Sequence, residues 1–276
     1  MANINKPSTI RPPIARPSGA SSTAVFLWRS ALKIKTTPGQ MTFDSAVAIV
    51  SMLLFAFMFG GAIGGSPREY VQFLLPGMLL MTVLPMTVYS GAALSRDIST
   101  GVYDRFRTIG FWQPSPVLGA LICDIMKYAI AVLGVTLAGL AIGFRPGGGI
   151  VGLLLGMSLA ILYAFSLSWI FAAWGVAAKK PESVTQNSML FLYASIFGSN
   201  IFTDAATMPG WIQTMIMFNP TTHIATAIRA LMHGNHVDGV LQESVSWALL
   251  ALAICAGIII IFAPITFVLY GRRDRR

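Results

Sequence analysis

Residues 150–178 read IVGLLLGMSLAILYAFSLSWIFAAWGVAA, a run without a single charged side chain. An α-helix needs about 20 consecutive apolar residues to cross the hydrocarbon core of a bilayer, so this run is long enough to span one. The whole chain shares this character, because 55% of its 276 residues are hydrophobic and only 11% are charged. Soluble domains carry about 25% charged residues. The run and the composition together indicate an integral membrane protein.

Further apolar runs flank this one, and each predicts a membrane-spanning helix. They cover residues 43–63, 71–94, 117–144, 187–202 and 247–270. Polar stretches at 95–116 and 179–186, and the turn Arg145-Pro146-Gly147-Gly148-Gly149, separate neighbouring runs. The predicted fold is therefore an all-α membrane domain of six spanning helices, covering residues 41–276.

The Lys and Arg residues favour one orientation of these helices. The formal net charge is +9. Most basic residues lie near the two termini or in the polar segments after the second and fourth runs, and only Arg68, Arg145 and Arg229 fall on the opposite side. Cytoplasmic segments are enriched in Lys and Arg, so we expect both termini in the cytoplasm. Basic residues placed beside membrane segments, without interleaved aromatic residues, do not indicate nucleic-acid binding.

The N-terminal region predicts two different segments. Residues 1–22 are rich in Pro, Ser and Arg and lack the apolar core of a signal peptide, so we expect a disordered cytoplasmic tail. Residues 23–40 begin with TAVFLWRSALKIK, which mixes apolar residues with Arg29, Lys33 and Lys35. This stretch is too short and too charged to cross a bilayer. It predicts an amphipathic helix on the inner membrane surface.

Residues 204–234, between the fifth and sixth runs, predict a re-entrant segment. Pro220 suits the first turn of a helix that continues to about Met232, because proline lacks the N–H that a first turn leaves unpaired. Ile224, Ile228 and Leu231 share one face of that helix. We expect a half-helix that dips into the outer leaflet and packs against protein.

Residues that could carry catalysis or bind a cofactor are sparse. The chain lacks a Gly-rich loop ending in Gly-Lys-Ser/Thr, so no ATP-binding site is indicated. His233 and His236 stand three apart, but only the loosely placed Asp238 accompanies them, and a polar outer loop fits better than a metal site. No span contains a pair of carboxylates. We therefore predict no catalytic residue, no metal and no bound cofactor in this chain.

Polar and thiol side chains in the third and sixth runs favour structural roles. Asp124 and Lys127 stand three apart, a spacing that predicts an ion pair along one helix. Cys123 and Cys255 lie inside apolar runs and predict small buried residues rather than a disulfide framework.

The polar stretch after the second run predicts a docking site. Residues 95–108 read SRDISTGVYDRFRT, which is dense in charge yet carries Val102, Tyr103 and Phe106. A loop that only connects two helices needs no such apolar groups, whereas a short amphipathic helix that fits a partner's groove does. The alternative is an interfacial helix that lies on lipid headgroups.

Five stretches, in this order, resemble the ABC type-2 exporter permeases, especially those of the daunorubicin-resistance kind. They are Leu75-Pro76-Gly77-Met78, Gly101-Val102-Tyr103-Asp104-Arg105-Phe106-Arg107, Lys180-Pro181-Glu182-Ser183-Val184, Met208-Pro209-Gly210-Trp211, and Asn219-Pro220-Thr221-Thr222-His223 continuing through Arg229-Ala230-Leu231. The departures from the family's pattern are Asp97, Ile109-Gly110-Phe111 and Gln113.

The resemblance implies a permease subunit in a bacterial plasma membrane, without catalytic activity of its own. It implies separate ATPase subunits that bind ATP and Mg, and a second permease copy or a related permease as a further partner. It also implies an ATPase-coupling helix formed by Asp97, Gly101, Tyr103, Asp104, Arg105, Phe106 and Arg107. The implied re-entrant residues are Pro209, Gly210, Trp211, Asn219, Pro220 and Arg229.

Methionine and aromatic residues of the second and fifth runs, together with one asparagine, predict the substrate path. They are Met78, Met81, Met86, Tyr89, Phe191, Tyr193, Phe197 and Asn200. Ordinary helix packing is the alternative for any one of them. As a set, a polarizable Met-rich wall suits an amphipathic, drug-like or lipid-like substrate better than an ion.

Two other functions compete with the exporter permease. A self-sufficient secondary transporter of hydrophobic compounds is expected to show charges at the membrane midplane and an internal repeat of spans, and the sequence shows neither. A membrane enzyme needs an acid, base or metal cluster, which the spans lack.

Overall fold

A computed structural model of the chain describes residues 18–36, 39–63, 65–100, 114–178, 180–234 and 240–273. In these ranges, all regular secondary structure is helical. The α-helices are α1 (Gly19–Thr36), α2 (Gly39–Ile63), α3 (Pro67–Ser99), α4 (Ser115–Ile142), α5 (Gly149–Ala177), α6 (Pro181–Phe197), α7 (Gly210–Met217), α8 (Pro220–His233) and α9 (Val240–Arg273). A short 3-10 helix, Ala205–Thr207, lies between α6 and α7.

Among the described residues, five helices are long and apolar enough to cross a membrane: α2, α3, α4, α5 and α9. They coincide with five of the expected spans and confirm a multi-pass membrane protein. The expected fifth span falls on α6, which has 17 residues. At 1.5 Å per residue α6 is about 26 Å long, slightly less than the hydrocarbon core of a typical bilayer. The sixth crossing therefore stays a prediction.

Two expected polar loops are shorter than the sequence indicated. α3 continues through Ser95 to Ser99, and Arg96 in its last turn favours this extension because a cation stabilises the negative end of the helix dipole. Residues 181–186, expected as loop, form the first turns of α6. Pro181 is suited to the first helical position and Glu182 to the positive end of the dipole, which explains the earlier start.

α3 is the central helix of the fold. In the apolar stretch of α3, 78% of the residues are buried, compared with 11% in that of α9. α3 packs against α2, α4, α5, α6 and α8. Ser66 caps its first turn by accepting a hydrogen bond from the Glu69 N–H at 3.3 Å. Five of the other helices are therefore positioned directly by α3, while α1 and α9 pack on helices that contact it.

Two glycines allow α3 and α5 to approach closely. A Cβ atom at Gly91 would overlap the carbonyl oxygen of Phe171, and one at Gly175 would overlap the carbonyl oxygen of Gly91. Because these neighbours are backbone atoms, no rotamer change can relieve the overlap. The α3–α5 contact thus depends on the absence of side chains at both positions.

We expect Gly175→Ala to lower the thermal stability of the purified permease in detergent, because an added methyl group forces α3 and α5 apart. Overpacking of this kind costs about 1–3 kcal/mol. The matched control is Gly134→Ala in α4, where an added Cβ meets nothing within 4 Å. Equal unfolding temperatures for the two variants, measured by size-exclusion chromatography after heating, would contradict the close contact.

α1 packs lengthwise on the beginning of α4. Phe26 is buried against Gly119, where an added Cβ would come within 2.7 Å of the Phe26 Cβ. Val25, Trp28 and Leu32 are exposed and follow one another at helical spacing on another face of α1. α1 therefore packs one apolar face against α4 and exposes a second apolar face.

The polar and thiol residues inside the spans adopt the structural roles that the sequence predicted. Lys127 Nζ lies 2.6 Å from Asp124 Oδ1, which confirms the ion pair in α4. Cys123 and Cys255 are both free and buried.

Candidate functional site

The expected ATPase-coupling segment connects two neighbouring helix ends. α3 ends where the Thr100 N–H donates to the Arg96 carbonyl, and α4 begins at Ser115. The two helices are antiparallel, since Ser90 hydrogen-bonds Tyr128, whereas Leu75, earlier in α3, contacts Gly139, later in α4. Asp97 lies half-buried in the last turn of α3. The other coupling residues, Gly101, Tyr103, Asp104, Arg105, Phe106 and Arg107, lie outside the described residues.

The expected helix at Pro220 is confirmed as α8, with Pro220 in its first turn. α8 runs antiparallel to the first half of α5: Thr221 Oγ1 lies 2.9 Å from Tyr163 Oη, while Met232 packs against Gly156. Gly148, just before α5, donates its N–H to the Met232 carbonyl at 3.0 Å. Ile224 and Ile228 are fully buried, as their shared face predicted.

Asn219 fixes the turn between α7 and α8. Its Oδ1 accepts from the Thr221 N–H at 3.0 Å and thereby caps α8. Its Nδ2 donates to the carbonyls of Ser195 and Gly198, both at 2.7 Å. The turn is therefore attached to the end of α6. We call Gly210–His233, which comprises α7, this turn and α8, the helical pair.

The exposed residues of the helical pair lie mainly on α7. Trp211 is 72% exposed, and Phe218, at the turn, is 84% exposed. Pro209, just before α7, and Gly210, its first residue, are also exposed, and a Cβ at Gly210 would meet nothing within 4 Å. The expected re-entrant residues thus divide into an exposed group at the start of α7 and a packed group around Asn219 and Arg229.

Arg229 joins α8 to α3 and to the residues that follow α6. Its Nη2 donates to the carbonyls of Asn200 at 2.7 Å and Ile201 at 3.0 Å. Its Nε donates to the Phe73 carbonyl at 3.2 Å, and its guanidinium carbon lies 3.9 Å from the centre of the Phe73 ring. In the part of the chain that the structure describes, no carboxylate lies within 4.0 Å of this guanidinium. The cation is instead stabilised by backbone dipoles and an aromatic face.

Gly77 explains how the chain after α6 reaches Arg229. A Cβ at Gly77 would come within 2.6 Å of the Ile201 carbonyl oxygen and within 3.1 Å of its Cα. The backbone of Ile201 therefore lies directly on α3, one residue beyond Pro76. The Pro-Gly stretch of α3 and the Arg229 stretch of α8, which are distant in sequence, meet at this point.

Tyr70 and Gln72 form further contacts of the first turns of α3. Tyr70 Oη donates to the Phe202 carbonyl at 3.0 Å. Gln72 Nε2 donates to the Gly143 carbonyl at 3.0 Å, and Gln72 Oε1 accepts from the Arg145 N–H at 3.1 Å. No motif in the sequence marks these two residues. Their only signal is that they are polar side chains at the start of an apolar run.

Two buried polar atoms, one beside Arg229 and one two helical turns before it on α8, have no hydrogen-bond partner within the described residues. They are Asn200 Oδ1 and Thr222 Oγ1. Asn200 Nδ2 does donate to Thr226 Oγ1, at 3.0 Å. Desolvation by burial lowers the pKa of His233, one helical turn beyond Arg229, and the positive charge of Arg229 lowers it further.

The residues expected to form the substrate path do not make one continuous wall in a single chain. On α3, Met78 and Met86 are buried, and Met81 and Tyr89 are half-buried. On α6, Phe191, Tyr193 and Phe197 are 58%, 45% and 64% exposed. Asn200 is buried beside α8. Of the α6 members, the structure brings together Tyr193 and Phe197 at an exposed surface, while Phe191 is exposed on another side of the helix.

An aromatic row connects this surface of α6 to α2. Ring centres lie 6.3 Å apart for Tyr193 and Phe197, 5.6 Å for Phe197 and Phe202, and 5.0 Å for Phe202 and Phe55. Phe55 continues to Phe59 at 5.6 Å. These separations suit aromatic pairs, which stabilise beyond the area they bury.

Comparison with known proteins connects this architecture to one family. Residues 21–233 match the family described as ABC-2 type transporter. A daunorubicin resistance ABC transporter permease protein, DrrB1 of Streptomyces coeruleorubidus, is 42% identical over 94% of this chain and 89% of its own length. A probable doxorubicin resistance ABC transporter permease protein, DrrC of Mycobacterium tuberculosis (strain ATCC 25618 / H37Rv), is 20% identical over 66% of each chain. The chain belongs to the ABC-2 type transporter family, as its five sequence stretches predicted.

Proposed function

We propose that this chain is the transmembrane permease subunit of an ATP-driven exporter that moves amphipathic, drug-like compounds out across a bacterial plasma membrane. The observation that carries the proposal is the 42% identity, along 94% of the chain, to a permease named for daunorubicin resistance. Five apolar helices supply the membrane domain. The chain has no phosphate-binding Gly-Lys-Ser/Thr loop, so ATP and Mg would bind to a separate ATPase subunit.

Residues 101–113 are the proposed contact with this ATPase. They connect α3 to α4, so a force on them acts directly on the central helix. α1 packs on the beginning of α4, beside the same end of the bundle. In this proposal Phe106 fills an apolar pocket of the ATPase, while Asp104, Arg105 and Arg107 bind its polar groups. α1 lies on the inner membrane surface, with Val25, Trp28 and Leu32 in contact with lipid.

The proposed topology has six crossings and both termini in the cytoplasm. α6 is the additional crossing, and α8 is a half-helix in the outer leaflet. The contacts of α8 support this, because its first turn lies beside Tyr163, near the middle of α5, and its last turn lies beside Gly148, at the start of α5. The Lys and Arg distribution supports the orientation.

The exposed face of α6 is the proposed surface for the second permease copy and the substrate. α9 exposes aliphatic residues such as Ile260, Ile261 and Val268, which suit lipid. α6 instead exposes Tyr193, whose hydroxyl has no hydrogen bond to another described residue. Since lipid tails cannot satisfy a hydroxyl group, a polar partner at this face is favoured. Phe191, Tyr193 and Phe197 of two copies would line a path between them.

Drug efflux in a bacterial strain without its own drug pumps tests the function. We expect cells that make the permease together with its ATPase to accumulate less daunorubicin, measured by its fluorescence, than cells that make either protein alone. An ATPase variant that lacks the phosphate-binding lysine is the matched control and should export nothing. Export by the permease alone would contradict the proposal and favour a self-sufficient secondary transporter.

A further inference from the structure

We propose that Arg229 acts as a latch that holds the helical pair Gly210–His233 closed against α3, and that the substrate exit opens when this latch is released. The inference rests on the proposed exporter function and adds a positioning residue to it. Arg229 would touch neither ATP nor substrate. It would act through the position of α8.

The contacts of Arg229 suit a reversible lock. One guanidinium binds carbonyls from two separate segments, Phe73 of α3 and Asn200–Ile201 after α6, and also covers the Phe73 ring. Only arginine offers donors in a planar fork that can bind several carbonyls while its face lies on a ring. The hydrogen-bond partners within the described residues are neutral dipoles, and Asp204, the carboxylate that attracts Arg229 from a longer distance, is exposed, so release separates no buried pair of opposite charges.

The surroundings of the latch indicate a second arrangement of the same residues. Asn200 Oδ1 and Thr222 Oγ1 are buried and lack a hydrogen-bond partner within the described residues. Asn200 belongs to the latch itself, because it also provides a carbonyl to Arg229, whereas Thr222 lies two turns before Arg229 on the helix that the latch holds. Buried polar atoms without partners are rare and unfavourable, so the closed arrangement carries a local penalty. A shift of α8 would relieve it.

α3 connects the latch to the proposed ATPase contact. It is one continuous helix of 33 residues, about 50 Å at 1.5 Å per residue, from the turn that carries Phe73 to the residues just before the 101–113 segment. Ile201 lies directly against it at Gly77. Pro76 and Pro85 interrupt its hydrogen-bond ladder and provide points where it can bend. A movement at one end of α3 therefore reaches the carbonyl that Arg229 binds at the other.

Thiol labelling at Ile201 tests the latch. Ile201 is fully buried, so a cysteine there reports release of the segment after α6. The complex of permease and ATPase, carrying Cys123→Ala, Cys255→Ala and Ile201→Cys, is placed in nanodiscs without nucleotide and treated with a maleimide. We expect Arg229→Gln to raise the labelling rate roughly tenfold, within the usual range for coupling between two sites. Arg229→Lys should raise it less, because an ammonium keeps the charge but cannot bind and stack in the same way.

Two controls separate latch release from loss of fold. In a second set of variants that keep Cys255 and lack Ile201→Cys, labelling of this buried thiol in α9 should stay at the level of the parent protein. Phe73→Leu, which removes the ring but keeps the carbonyl, should accelerate labelling at position 201 in the Arg229 background and have no further effect after Arg229→Gln. The latch would be overturned if Arg229→Gln left the labelling rate unchanged, or if the effects of Arg229→Gln and Phe73→Leu were additive. If Arg229→Gln exposes Cys255, Arg229→Lys takes its place in the test. Unchanged labelling at position 201 in Arg229→Lys, or additive effects of Arg229→Lys and Phe73→Leu, would then overturn the latch.

Adding ATP distinguishes failure of the latch from failure of the proposed function. We expect ATP to accelerate labelling at position 201 in the parent complex, and the Phe106→Asp variant to lose this acceleration. Faster labelling in Arg229→Gln without nucleotide, combined with no effect of ATP on the parent, would support the latch and contradict ATP-driven coupling. Unchanged labelling in Arg229→Gln without nucleotide, combined with acceleration by ATP in the parent, would overturn the latch and leave ATP-driven coupling in place.

Discussion

Export should be abolished in the Phe106→Asp, Arg107→Glu double variant, while the permease itself stays folded and in the membrane. Burying a Phe side chain stabilises a contact by about 1.5–3 kcal/mol. A hydrogen bond from a charged group adds about 1.5–3 kcal/mol. Loss of both weakens binding of the ATPase by roughly a hundredfold or more, since each 1.4 kcal/mol corresponds to a factor of ten. The carboxylates also introduce repulsion or desolvation where an apolar group and a cation are expected.

The measurement is co-purification of the ATPase with a tagged permease, together with daunorubicin efflux from cells. The matched control places one aromatic-to-Asp and one Arg-to-Glu change on exposed residues outside the 101–113 segment, as Trp211→Asp with Arg68→Glu. This control should retain the ATPase. If the double variant and the parent bind the ATPase equally well, the 101–113 segment is better explained as an interfacial helix on lipid headgroups.

The spanning helices could be predicted from the sequence because a bilayer imposes a simple rule on length and polarity. The runs at 43–63, 71–94, 117–144, 150–178 and 247–270 all correspond to helices that are long and apolar enough to cross. The errors lie at helix ends, where local chemistry decides. Pro181 and Glu182 look like loop residues in a hydropathy pattern, yet they are favourable in the first turn of a helix.

The candidate site could be predicted less well from the sequence, because most of its contacts involve backbone atoms. Arg229 and Asn219 were recognised through the family resemblance, but their partners are carbonyl oxygens, which every residue carries. The role of Gly77 depends on Ile201, which is far from it in the chain. The Met-rich pattern of α3 could not separate packing from a substrate path, and the structure places Met78 in the core of the bundle.

Asn219→Asp should destabilise the permease more than Asn219→Ala, although aspartate and asparagine cap helices about equally well. The alanine variant loses the cap, which is worth about 1 kcal/mol. It also leaves the Ser195 and Gly198 carbonyls without the donors that now lie 2.7 Å away. An unsatisfied buried acceptor costs about 1–3 kcal/mol. The aspartate variant keeps the cap but brings a carboxylate against both carbonyl oxygens, so repulsion is added to the loss of the donors.

The unfolding temperature of the purified permease in detergent gives the order of stability, expected as parent, then alanine, then aspartate. Asn187→Asp is the control, because Asn187 lies in the first half of α6, away from Ser195 and Gly198, and is exposed, so a new charge there should have little effect. An aspartate variant as stable as the parent would mean that Asn219 serves only as a helix cap. The hydrogen bonds from Asn219 to the end of α6 would then contribute nothing to stability. The observed contacts point the other way, because both donors of the Asn219 amide are directed at the end of α6 and its oxygen at the beginning of α8.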